Sequence, residues 1–65
     1  MDKKAVTKSK LFIHAESEKL MSCTELLKDE TSQKNIYAYA CAAKKLAESI
    51  LEETEELIQQ TYLIK

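Results

Sequence analysis

Glycine, proline, tryptophan and arginine are all absent from these 65 residues, and histidine occurs once. Each absence excludes something. Without glycine there is no phosphate-cradling loop of the kind that nucleotide binders build. Without proline or glycine nothing interrupts a helix from within, and plentiful Ala, Leu, Glu and Lys argue for helix almost throughout. All ten cations are lysine, so the planar fork that grips phosphate or guanine at two points is missing. The net charge is −1, which provides no general pull toward nucleic acid or an anionic membrane. No apolar run approaches the ~20 residues that a membrane span needs. The start, Met1-Asp2-Lys3-Lys4, has no hydrophobic stretch behind it and does not read as a secretory signal. Two cysteines, Cys23 and Cys41, are too few for a disulfide scaffold, and a reduced, cytoplasmic protein is the expectation.

What is present is a heptad pattern that changes phase once. Val6, Ile13, Leu20 and Leu27 recur every seven residues, and so do Ile36, Ala43, Ile50, Leu57 and Ile64. The second series is out of step with the first, so one continuous helix would break its apolar stripe in the middle. The phase change falls in Asp29-Glu30-Thr31-Ser32-Gln33-Lys34-Asn35, a wholly polar stretch, and a turn belongs there with Thr31 or Ser32 as the N-cap of the second helix. The spacing predicts an all-α fold: an antiparallel two-helix hairpin, helices near 2–30 and 32–64, as one domain over residues 1–65.

Folding at that turn sets Val6 against Leu57, Ile13 against Ile50, Leu20 against Ala43 and Leu27 against Ile36, each pair of numbers summing to 63. Residues 1–13 carry net +3 and residues 46–65 net −4, so the antiparallel arrangement brings opposite charge together. Helix two has a second apolar strip, Ala40, Ala47, Leu51, Ile58 and Tyr62, and helix one is widened by Ala5, Phe12, Cys23 and Leu26. A face that wide exceeds what one partner helix covers. A chain of this size also seldom draws more than ~3–5 kcal/mol from its own core. The expectation is a homodimer forming a four-helix bundle, its hairpin and dimer core made by the heptad residues with Leu51 and Ile58.

Few residues invite chemistry. Glu16 interrupts the apolar face of helix one between Ile13 and Leu20; it is read as a carboxylate at the stripe's edge that reaches solvent or bonds a lysine and fixes the register, with a binding or catalytic acid in the core as the alternative. His14, on the polar side, has no second histidine or carboxylate at metal-binding spacing. Cys23 and Cys41 fall at one level of the hairpin, but packed helices lie ~8–10 Å apart, beyond the ~7 Å reach of a disulfide, and ordinary thiols are expected. One histidine and no glycine-built oxyanion turn leave no catalytic set, so no enzyme, cofactor or metal is expected.

The expected role is protein binding, as a regulator, inhibitor or adaptor. The partner surface is placed at Tyr37, Tyr39, Lys44 and Lys45, with Leu11 and Met21 off the main stripe, because tyrosine gives large contact area at small entropic cost; the alternative packs Tyr39 at the dimer seam and leaves Tyr37 half exposed. Tyrosines among lysines also suit stacking on nucleic acid. In length and layout the chain resembles the Rop family of plasmid copy-number control proteins, small hairpins that dimerise into a bundle and grip paired RNA loops. That resemblance implies an RNA-binding face on helix one, where Lys3 and Lys10 stand among His14, Glu18 and Glu25. A third reading makes the hairpin a structural subunit of a larger helical assembly.

Overall fold

The computed structural model describes residues 2–62, which form two helices joined by a short turn: α1 (Lys3–Asp29) and α2 (Gln33–Tyr62). The antiparallel hairpin is as expected, each helix starting one residue later than the spacing suggested. The last expected turn, with Ile64, lies outside the described residues. The molecule is a rod of 50 × 14 × 12 Å.

α1 starts on a side-chain cap, and α2 on a backbone bond alone. Asp2 accepts from the backbone N–H groups of Lys4 (3.0 Å) and Ala5 (3.4 Å), which α1 leaves without an internal partner. Ser32 precedes α2, and its carbonyl accepts the first helical bond, from Ile36 N–H at 2.8 Å. Between them Glu30 ends α1. Its backbone is extended (φ −80°, ψ 134°), and no described residue has positive φ, so the turn has no need of glycine. The Glu30 carboxylate accepts from the N–H groups of Thr31 (3.2 Å) and Ser32 (3.0 Å), satisfying the turn from within.

Two hydrogen bonds cross between the helices and fix their register. The Ser9 hydroxyl donates to Glu53 Oε2 at 2.7 Å, and Cys23 Sγ donates to the Tyr39 carbonyl at 3.2 Å. Both pairs sum to 62. Between Val6 and Ser9 lie three steps and between Leu57 and Glu53 four, so the expected apolar pairs at 63 belong to the same register. Apolar layers (Val6–Leu57, Ile13–Ile50, Leu20–Ala43) therefore alternate with mixed ones (Ser9–Glu53, Glu16–Leu46, Cys23–Tyr39). All of these residues are half-buried except Ser9 and Cys23, which are buried.

The hairpin alone has almost no interior. Ser9 and Cys23 are the only buried described residues, at 4% and 9% exposure, and no described side chain is fully enclosed. Three expected core positions are exposed in the single chain: Ile36, Leu51 and Ile58, the last two at 60% and 58%. Ile36 sits on the first turn of α2, where α1 is ending and gives it little cover. Leu51 and Ile58 follow the α1-facing Ile50 and Leu57 by one residue, which turns them about 100° away.

The opposite charges meet without an ion pair between the helices among the described residues. Among the described residues, Lys19 pairs with Glu16 at 3.3 Å and His14 Nε2 lies 2.8 Å from Glu18 Oε1, both contacts inside α1. Opposite charges do meet across the helices, but a serine hydroxyl, not a lysine, makes the direct contact to α2. Long lysine side chains at an exposed flank gain little by fixing one geometry.

Candidate functional site

The hairpin offers two broad surfaces on opposite sides of its core. On one side Ala5, Lys8 and Phe12 of α1 face Glu52, Glu56 and Gln60 of α2 across an open groove of about 470 Å³. The Ser9–Glu53 hydrogen bond forms its floor. Gln60 Oε1 is buried there without a hydrogen-bond partner. The groove suits a cationic group in sign, but it is shallow and open. No group of three or more His, Cys, Asp or Glu among the described residues is arranged to hold a metal ion.

The other side is dominated by α2. Tyr37 is 74% exposed there, and Leu51 and Ile58 follow it on the same face, with the exposed Ala40 and Ala47 between. This strip and the apolar widening of α1 (Ala5, Phe12 and Leu26) therefore point to opposite sides. One packed copy of the hairpin cannot cover both, contrary to the expectation that a single dimer contact would. The periodicity located each strip on its own helix; the handedness of the hairpin decides that they diverge.

The residues proposed from sequence as a partner surface do not form one patch. Tyr37 and Lys44 share the α2 strip, and Met21 projects from α1 on that same side. Leu11 lies farther round α1, at the level of Leu51. Lys45 turns toward the groove side. Tyr39 is half-buried against α1, its carbonyl taken by Cys23, so its ring belongs to the hairpin interface and not to an outer surface. Leu11, Met21, Lys44 and Lys45 are all exposed.

Glu16 is half-buried, its side chain 14% exposed and bonded by Lys19. His14 is engaged by Glu18 on the exposed side of α1. Both thiols are free. Cys41 is exposed while Cys23 is buried and engaged, so a thiol reagent is expected to modify one cysteine rapidly in native protein and the second only in denaturant. Equal native rates in a mass-resolved labelling course would contradict this packing.

Two features were missed in the sequence, and both carry a signal there. Ser9, Glu16, Cys23 and Glu30 form a second heptad series on α1, as do Tyr39, Leu46, Glu53 and Gln60 on α2. Their mixed polarity hides them from a search for apolar repeats. No helix among the described residues is long and apolar enough to cross a membrane. Comparison with protein families, with curated proteins and with solved structures finds no match to this chain.

Proposed function

We propose that the protein is a non-enzymatic protein-binding module, a regulator, inhibitor or adaptor, that works as a homodimer of hairpins in a four-helix bundle. The observation that carries this reading is the contrast between an interior in which no described side chain is fully enclosed and a surface bearing Leu11, Met21, Leu51 and Ile58, each more than half exposed. Apolar area of that kind, spread from the α2 strip round to the outer side of α1, suits one contact with a second copy and another with a different protein. The polar groups support binding over chemistry: the single histidine is tied to Glu18, and the groove carboxylates lie open to water. The setting proposed is the reducing interior of the cell, in keeping with two free thiols.

The test is solution mass by light scattering across a hundredfold concentration range, followed by recovery of the tagged chain from its native cells. A stable dimer recovered with one stoichiometric protein, the protein but not the dimer being lost on Leu11→Glu on the outer side of α1, is the expected result. Mass that climbs without limit would favour the structural-subunit reading. A gel shift with structured RNA, steeply weakened by salt, would favour the nucleic-acid reading instead.

A further inference from the structure

The positions of α2 that face α1 run 36, 39, 43, 46, 50, 53, 57 and 60. Adding one to each gives a second seam with the same three-and-four spacing, rotated about 100° around the helix. A helix that packs on two neighbours offers two such seams, nearly at right angles. This second seam includes Ala40, Ala47, Leu51 and Ile58, all exposed, with Thr54 and Thr61 at its remaining small positions. The two threonine hydroxyls are already satisfied within their own helix. Thr54 Oγ1 donates to the Ile50 carbonyl at 2.6 Å, and Thr61 Oγ1 to that of Leu57 at 2.9 Å. Covering either residue therefore leaves no hydroxyl without a partner.

We infer that this seam is the contact between two copies of the chain, α2 against α2 in antiparallel orientation, with paired residue numbers summing to 98. The inference rests on the self-association proposed above and specifies its face, partner element and register. In that register Ala47 lies under Leu51 of the second copy and Ala40 under Ile58, so each large side chain meets a small one. Lys44 meets the satisfied Thr54 and comes within reach of the opposing Glu55 on the same flank, twice by symmetry. Glu48 and its copy approach each other near the symmetry axis on that flank, and the two lysines offset this like-charge pair. Parallel pairing would set Lys44 against its own copy in the seam. The equivalent strip on α1 contains Lys3, Thr7, Lys10 and His14, which is too polar to compete. A second copy is the fitting occupant because the seam complements itself, and because a hairpin with no enclosed core needs cover whenever it is folded.

The experiment is sedimentation equilibrium of the full chain and its variants. Leu51→Glu is expected to weaken the dimer on the order of a hundredfold or more, since two apolar contacts become two buried charges. Phe12→Glu, on the groove side, leaves it unchanged. Lys44→Glu and Glu55→Lys each weaken it several-fold, and the double reversal restores it. Those charge variants alter only exposed residues and decide the matter even if Leu51→Glu unfolds. A dimer that dissociates with Phe12→Glu but not with Leu51→Glu overturns this face while leaving self-association intact. A double reversal that fails to restore affinity overturns the antiparallel register. A wild-type chain that is monomeric throughout overturns both readings.

Discussion

Ile50→Ala is expected to lower the unfolding free energy by about 2 kcal/mol, near the lower end for such truncations because the site is half-buried. In a chain this small, whose core contributes only ~3–5 kcal/mol, that is a large part of the total. Ile50 lies opposite Ile13 in an apolar layer with mixed layers on both sides. Nothing next to it can move in to fill the space, because the adjoining layers hold Glu16 and the hydrogen-bonded Ser9–Glu53 pair. Ile13→Ala should cost a similar amount. The double variant empties one layer and is expected to lose most of its helical signal at room temperature. Leu11→Ala removes a similar side chain from an exposed position and should stay within about 0.5 kcal/mol of wild type. Urea unfolding followed by circular dichroism measures all four. Equal losses for Leu11 and Ile50 would mean that the α1–α2 interface is not where the hairpin's stability resides.

The mixed layers predict a reversal of sign. Ser9→Ala strips Glu53 of its only donor among the described residues and is expected to cost about 1 kcal/mol, more than a surface serine would. Replacing both partners, Ser9→Ala with Glu53→Leu, removes the polar pair from an otherwise apolar stripe. That double variant should regain the loss and exceed wild type, since a half-buried polar pair contributes less than packed apolar side chains in its place. The polar pair would then be retained for register, because Ser9 and Glu53 meet only when the helices pair at this level. A double variant no better than Ser9→Ala would show instead that the hydrogen bond is a net source of stability.

The helices, the turn and the antiparallel pairing were legible because an apolar residue every seventh position is a one-dimensional signal, and the change of phase between Leu27 and Ile36 marks the fold-back. The mixed layers were not, because serine, glutamate and glutamine at interface positions look like surface residues until a partner is identified. The way α1 ends was also out of reach: glycine usually signals it, and here an extended Glu30 with its own carboxylate replaces that signal. Tyr39 was assigned to an outer surface by residue type, although its heptad position already aligned it with Leu46. The relation between the two exposed strips depends on the three-dimensional hand of the hairpin, which no periodicity contains.

The central claim is that one hairpin is an incomplete structure finished by its own copy. The most direct test is the thermal midpoint of the wild-type chain, followed by circular dichroism over a hundredfold range of concentration. If folding and dimerisation are one process, mass action over that range is worth about 2.7 kcal/mol and should raise the midpoint by roughly 10 °C. A midpoint independent of concentration, in a chain that unfolds in a single sharp transition, would mean that the hairpin is complete by itself and would contradict the claim.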